Sequence, residues 1–429
     1  MRDIIVFLES DAIGTGALFF NRARALGLRP MLFSTAPERF RSLAEFENAT
    51  LAEMSERSVL DAIERLGRDR VRGVWALRDR LAGLAARVAA AVGRPGADPG
   101  AVERCRDKVH TRQALADAGV KDVPFALVRS RAEAAAAANA LGGRVVVKPR
   151  SATGSVGARL CRSFDEVRQH HDDLVKRLPD VASLGALIEA AADGPQFSVQ
   201  MFDGRSIGVT RQDLGPPPAF ITTGLDFPWC DHTRVHGEIV AHAERATAVV
   251  GHVRGPGSVD VRYGSRGPCI IEINPRLAGD MIPENIRLAT GVDVVEATIR
   301  FACGMPYELA PRQNRASATR WLLRPGTLVK EVRGRDEAAR VAGVVDGRVF
   351  PALFGRDRPA GDFRDRLAYV IAEAESAAQA GELAALGLRQ LRTVPITAHE
   401  RWRRAIRRLT RAAARRMPAA GPWRAKRRG

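Results

Sequence analysis

Cysteine is scarce and scattered: five residues in 429, at Cys105, Cys161, Cys230, Cys269 and Cys303, with no Cys-x-x-Cys pair. An odd, dispersed set argues against a disulfide framework or a zinc site and fits a reducing, cytoplasmic compartment. No apolar run approaches the roughly 18 residues that a membrane-spanning helix needs. The short run Ile4–Leu8 leads into Glu9, Ser10 and a Gly-rich stretch with no small-residue cleavage site, so a first β-strand fits better than a signal peptide. A Walker Gly-Lys-Ser/Thr is missing, as are an internal repeat and a full Gly-x-Gly-x-x-Gly followed by a ribose-binding acid. Acids are missing from the end of the chain. From Arg401 to Gly429 there are eleven Arg, one Lys and no Asp or Glu, so twelve of the eighteen net positive charges sit in this tail.

What is present suits a multidomain globular protein. Apolar residues make up 45% of the chain, enough for two or three cores. The apolar run at 4–8, a helix from Gly14-Thr15-Gly16 to about Leu26 and a second strand at Met31-Leu32-Phe33 form a βαβ opening, which predicts a parallel sheet. Gly93-Arg94-Pro95-Gly96 marks a first boundary. A helix opening at Cys105-Arg106-Asp107-Lys108 is expected to run to about Gly119, and residues 131–141 read as a second. Ser258–Arg262 and Cys269–Asn274 read as a hairpin around a five-residue loop. In the tail, Trp402, Ile406, Leu409 and Ala413 recur at helical spacing, which predicts an amphipathic basic helix. Such a helix suits an acidic carrier protein, an anionic membrane surface or RNA; a solvated Arg-rich tail is the plainer alternative.

Two segments carry chemistry. In the hairpin, strand alternation puts Ile271 and Ile273 on one face with Val259 and Val261, and leaves Asp260, Glu272 and Asn274 together on the other. Those oxygen donors suit Mg²⁺, with Mn²⁺ as a substitute, and Arg276 follows close enough to steady a carboxylate or an oxyanion. An ordinary solvated hairpin face is the competing reading. The second segment is Lys148-Pro149-Arg150-Ser151-Ala152-Thr153-Gly154-Ser155-Val156-Gly157, a lysine at a strand end before a Gly-rich loop. Its cation and backbone N–H groups suit polyphosphate.

On these residues the chain resembles an ATP-grasp enzyme, in particular the carboxylate–amine ligases that include the L-amino acid ligases. The most specific stretch is Ile271-Glu272-Ile273-Asn274-Pro275-Arg276-Leu277-Ala278-Gly279, continuing to Ala289-Thr290-Gly291-Val292-Asp293, and the likeness extends to about residue 398. It implies an α/β ATP-grasp fold: an N-terminal Rossmann-like pre-ATP-grasp domain (1–104), the ATP-grasp domain (105–310), a small C-terminal α+β domain (311–398) and the tail (399–429). Lys108 and Lys148 would contact ATP phosphates under a loop containing Gly154, Ser155 and Gly157. Leu187, Ile188 and Glu189 would bind adenine, and Gln196 would stand at the ribose. Asp260, Glu272 and Asn274 would hold magnesium, with Arg276 and Lys148 catalytic and Asp280 facing a substrate or capping a helix.

The resemblance further implies ATP-dependent amide or peptide bond formation through an acyl phosphate, from small-molecule carboxylate and amine substrates, at least one an amino acid. A homodimer is common in such enzymes. The sequence departs from the family at Ser258, Asp260, Gln196, Ala190, Gln200 and Asp280. These changes leave open a different use of nucleotide or a decayed scaffold that binds an acidic partner through its tail. A biotin-carboxylase-like activity is the nearest enzymatic rival, although no biotinyl-lysine domain follows.

Overall fold

The computed structural model describes residues 3–10, 15–120, 122–230, 233–354, 359–397 and 400; the helix expected in the basic tail lies outside them. The first unit is a parallel sheet in the order β3-β2-β1-β4, from β1 (Ile4–Leu8), β2 (Arg29–Ser34), β3 (Glu47–Thr50) and β4 (Val71–Ala76). All five β1 residues are buried, as expected of a strand covered on both faces. Helix α1 (Thr15–Ala25) covers one face, while α2 (Glu56–Leu66) and α3 (Ala82–Ala91) cover the other. Phe7, Phe19, Phe20 and Trp75 share a core with Phe202, Phe301 and Ile299, so this unit packs directly on the rest of the chain. Each such aromatic contributes about 1.5–3 kcal/mol by burial, enough to hold the junction firmly.

Helix α4 (Pro99–Arg106) leads to α5 (Lys108–Asp117). The single helix expected from Cys105 is thus two. Asp107 leaves the helical backbone and its carboxylate accepts the Val109 N–H at 3.0 Å, which puts Lys108 in the first position of α5. An antiparallel sheet follows in the order β5-β8-β6-β7, from β5 (Phe125–Val128), β6 (Val145–Pro149), β7 (Arg159–Cys161) and β8 (Ala186–Ala190). The helices Arg131–Ala140 and Phe164–Arg177 pack on it.

An eight-stranded sheet completes the frame, in the order β13-β12-β9-β10-β11-β14-β17-β16. Its members are β9 (Gln196–Phe202), β10 (Arg205–Leu214), β11 (Thr222–Phe227), β12 (Pro256–Gly264), β13 (Gly267–Asn274), β14 (Ala316–Leu323), β16 (Val344–Val349) and β17 (Arg366–Ala374). Between and after them, β15 (Val329–Arg333) pairs with β18 (Arg392–Pro395). Residues beyond 311 therefore continue a sheet begun by β9 to β13, through the pairing of β11 with β14. The β12–β13 hairpin is tighter than expected. Gly264 pairs with Gly267, leaving a two-residue turn at Ser265-Arg266 instead of a five-residue loop. Cys105, Cys161, Cys269 and Cys303 are free thiols, and no described helix is long and apolar enough to cross a membrane.

Candidate active site

The space between the two antiparallel sheets is a cleft of about 750 Å³ that merges with open solvent. Lys108, Lys148, Ser155, Glu189, Gln196, Asp260 and Glu272 all line it. Residues as far as 164 positions apart thus meet because α5, β6, β8, β9, β12 and β13 present polar residues to one gap.

The hairpin carries a β-bulge that period-two alternation cannot show. Asp260 pairs with Glu272, but Val261 pairs with Ile270, so Ile271 is the extra residue. Ile270 and Ile273 enter the core with Val259 and Val261, while Ile271 lines the cleft beside Glu272. This corrects the expectation that Ile271 faces the core. The Ile271 carbonyl accepts from Lys148 Nζ at 3.3 Å and from Arg112 Nη2 at 3.2 Å. The bulge therefore supplies an acceptor that anchors two cations.

Each lysine has a carboxylate partner. Lys108 Nζ lies 3.1 Å from Glu272 Oε2 and donates to the Ala152 carbonyl at 2.8 Å. Lys148 Nζ lies 2.6 Å from Glu189 Oε2. Glu189 also accepts from Arg112 Nε at 2.8 Å, and Arg112 Nη1 reaches Asp122 at 3.0 Å. Arg112 is 2% exposed. Sequence reasoning missed both Arg112 and Asp122, because they sit outside the recognised stretches and reveal their partners only in three dimensions. Burial lowers the Lys148 pKa, with Glu189 opposing and Arg112 and Lys108 reinforcing. Burial works against the charged Glu189, yet Arg112 and Lys148 hold its pKa below the ordinary value.

In strand β8, where adenine contacts were expected, Leu187 and Ile188 are fully buried, and their backbones pair with β5 on one side and β6 on the other. Neither lines the cleft, and the Glu189 carboxylate is engaged by Lys148 and Arg112; at this end the lining is Glu189, Ala190, Ala192 and Gln196. Gln196 donates through Nε2 to Gln212 Oε1 at 2.7 Å, which directs its amide within the wall.

Asp260 and Glu272 are opposite one another, and Asn274 donates to Glu272 Oε1 at 3.3 Å. Burial and the neighbouring Glu272 push the Asp260 carboxyl up to about 7. Burial also opposes the charge on Glu272, but Lys108 and the Asn274 amide carry its pKa below the ordinary value. Two crowded carboxyls, one preferring its proton, are the electrostatic signature of a place that a cation would relieve. Among the described residues, no group of three or more His, Cys, Asp or Glu could hold a metal by itself. Two carboxyls and an amide suit a hard ion that takes its remaining ligands from phosphate and water.

The Gly-rich loop is docked against three other segments. Gly154 has φ +64°, and a Cβ there would lie 2.7 Å from the Phe363 ring. Ser155 Oγ donates to the Phe220 carbonyl at 2.8 Å, and the Gly157 carbonyl lies 2.9 Å from His170 Nε2. Arg276 and Asp280 do not line the cleft. Arg276 Nη1 donates to the Leu277 carbonyl at 2.8 Å, and its Nε lies 3.4 Å from Asp79 of the first unit. Asp280, at φ +60°, pairs with Arg366 of β17. Met281 precedes the helix Ile282–Thr290 and no side chain caps it, so Asp280 does not act as that N-cap. An acid already neutralised by a buried arginine has little charge left for a cationic substrate.

Comparison with known proteins gives the site a setting. A family model described as the ATP-grasp domain matches residues 105–280, and one described as L-amino acid ligase C-terminal domain 2 matches residues 320–394. The uncharacterised protein y4rH of Sinorhizobium fredii is 30% identical over 391 residues, covering 89% of this chain and 80% of that protein. Carnosine synthase 1 of Gallus gallus is 28% identical over 342 residues, covering 71% of this chain but 36% of its own length. Among solved structures, the L-amino acid ligase of Bacillus licheniformis aligns with a TM-score of 0.78 at 17% identity, over 92% of this chain and 99% of that one. The biotin carboxylase domain dimer of Hydrogenobacter thermophilus 2-oxoglutarate carboxylase, solved with MgADP and bicarbonate, aligns with a TM-score of 0.67 at 17% identity, over 92% of each chain.

Proposed function

The chain belongs to the ATP-grasp family, with an L-amino acid ligase type of C-terminal domain, and on that premise we propose that it joins an amino acid to a second small molecule through an acyl phosphate. The observation that carries this reading is the convergence of Lys108 and Lys148 with Asp260 and Glu272 in one cleft, closed on one side by the Gly154–Gly157 loop. Phosphoryl transfer asks a protein mainly for positioning and charge stabilisation, and these groups supply both.

In this reading the two lysines face the phosphates, and the loop N–H groups close over them. Asp260, Glu272 and Asn274 are the residues that would hold magnesium, which when bound neutralises charge on the phosphoryl oxygens. Ala190, Ala192 and Gln196 line the nucleoside end, replacing the roles first assigned to Leu187 and Ile188. A substrate carboxylate takes the γ-phosphoryl group, and the loop keeps water from the acyl phosphate. The amine then attacks the acyl carbon while Arg276 turns its guanidinium to the developing oxyanion. Cytoplasmic placement and a homodimer belong to the same proposal. The ligase reading is favoured over a biotin-carboxylase-like one by the domain matched at residues 320–394.

The test is ADP and phosphate release from Mg-ATP against amino acids singly and in pairs, with mass spectrometry of the product. Release that requires one pair and yields their condensed mass supports the proposal; release that requires bicarbonate overturns it. Arg276→Ala should keep nucleotide binding and lose ~10²–10³ in ligation rate, the usual cost of removing one oxyanion donor.

A further inference from the structure

Arg276 reaches its position on one firm bond. Nη1 donates to the carbonyl of the next residue, Leu277, a bond within its own segment. Its other neighbour comes from the opposite side of the seam between the parallel sheet and the nucleotide-binding half. Asp79 opens the 3₁₀ turn Asp79–Leu81 that leads into α3, just beyond the carboxyl end of β4. Carboxyl ends of parallel strands are where such sheets present residues to ligands. Asp79 Oδ1 stands 3.4 Å from Arg276 Nε, and Asp79 Oδ2 stands 3.9 Å from Arg106 Nε at the end of α4.

The three side chains are 11% (Asp79), 18% (Arg106) and 21% (Arg276) exposed. Asp79 Oδ1, Arg106 Nε and Arg276 Nε are shut off from solvent, and none of these atoms has a hydrogen-bond partner. Charge therefore holds the group together where dielectric screening is weak, without the directional bonds of a finished ion pair. A guanidinium is planar and rigid, so fixing its Nε edge fixes the direction of both terminal nitrogens. Arg106 is held on its other side by Glu103, at 3.1 Å from its Nη1, so Asp79 is seated between a fixed guanidinium and that of Arg276.

We propose that Asp79 is a positioning residue for Arg276, setting the orientation of its guanidinium toward the reacting acyl group. The inference rests on the reading of Arg276 as the group that meets the oxyanion. It gives the first unit a part in catalysis: the helix α3 terminus aims a side chain that the β13 motif supplies. Asp79 itself touches no substrate.

The experiment compares Asp79→Asn, Arg276→Ala and the double variant in the full chain, measuring kcat, the KM for ATP, and rescue by added guanidinium ion. Asp79→Asn should lower kcat by about tenfold, a fraction of the ~10²–10³ lost with the donor itself, and leave the KM for ATP unchanged. In the Arg276→Ala background it should cost nothing further. Guanidinium should restore turnover to Arg276→Ala, which keeps the carboxylate seat, and not to the double variant. Arg106→Met, which removes the second anchor of Asp79 together with the contact to Glu103, gives a second reading should Asp79→Asn fold poorly: a smaller fall in kcat, again absent without Arg276. An unchanged kcat in Asp79→Asn, or an equal loss with and without Arg276, overturns the positioning role. Full turnover by Arg276→Ala overturns the underlying assignment instead, so the two failures are distinguishable.

Discussion

Glu189→Gln separates charge from shape at the buried centre of the cleft. Glu189 is 3% exposed, with Lys148 Nζ at 2.6 Å and Arg112 Nε at 2.8 Å. The amide keeps the volume and removes the one charge that both cations share. Stripping the partner from a buried ion pair costs about 3–5 kcal/mol if the remaining charge persists. Arg112 cannot shed its proton and keeps Asp122. Lys148 can, and burial, Arg112 and Lys108 already lower its pKa. The variant should therefore relax by neutralising Lys148. A neutral amine forfeits a charge-assisted contact to phosphate of about 1.5–3 kcal/mol, or about 10–150-fold in Kd. The sign follows: lysine holds its charge below its pKa, so nucleotide affinity in Glu189→Gln should fall further behind the native protein as pH rises. The comparison is made at each pH, because loss of the Asp260 proton raises affinity for the Mg²⁺–nucleotide in both proteins. Calorimetric titration with a non-hydrolysable ATP analogue and Mg²⁺ reads this directly. Affinity matching the native protein at every pH would refute the claim that Glu189 keeps Lys148 charged.

Three further outcomes follow from the geometry. Asp260, with its carboxyl raised to about 7, must lose a proton to ligate a cation; calorimetry in buffers of different ionisation enthalpy should show proton release on Mg²⁺–nucleotide binding at pH 6 that fades above pH 8. The same raised pKa makes its stability contribution to the metal-free protein present below the unfolded value of 3.8 and lost as pH rises through about 7, so melting with and without Mg²⁺ should diverge toward neutral pH. Gly154→Ala drives a Cβ into the Phe363 ring at a positive φ, costing the docked loop about 1–3 kcal/mol; the KM for ATP should rise, and adding Phe363→Ala should recover part of it. Asp280→Asn deprives the buried Arg366 of its carboxylate; it should lower the melting temperature while leaving any preference between cationic and neutral amines unchanged.

Local patterns in the sequence made the hairpin, the strand ending at Lys148 and the parallel opening legible. Alternation alone gathers Asp260, Glu272 and Asn274, since residues two apart on a strand share a face. The same rule misplaced Ile271, because a bulge is one extra residue forced by the pairing strand and leaves no mark on its own strand. Partnerships across the chain were hidden altogether. Glu189 pairs with Arg112, 77 residues away, and Arg366 lies 86 residues from Asp280. Each acid was therefore read as free to meet a ligand, when the fold had already supplied its counter-ion. Arg276 was recognised from its motif, but its neighbour Asp79 belongs to a turn with no motif at all.

The hydrogen bonding of β11 to β14 has a consequence for anyone recombining these ligases. A chimera that joins one parent's residues up to 310 to another's remainder would look like a clean exchange of C-terminal parts. It would cut a sheet through its middle, at four paired positions from Gly224–Arg320 to Phe227–Ser317, and across the Arg320–Asp226 ion pair at 2.7 Å. A mismatched β14 would leave β11 as a bare edge, open to the strand-to-strand association that natural sheets guard against. The safer crossover carries β11 with its partner, which places the junction upstream of Thr222, next to Phe220, whose carbonyl holds Ser155 of the Gly-rich loop. Such a junction parts Lys108, Lys148 and Glu189 from Asp260 and Glu272, so the two walls of the cleft would come from different parents and would have to match.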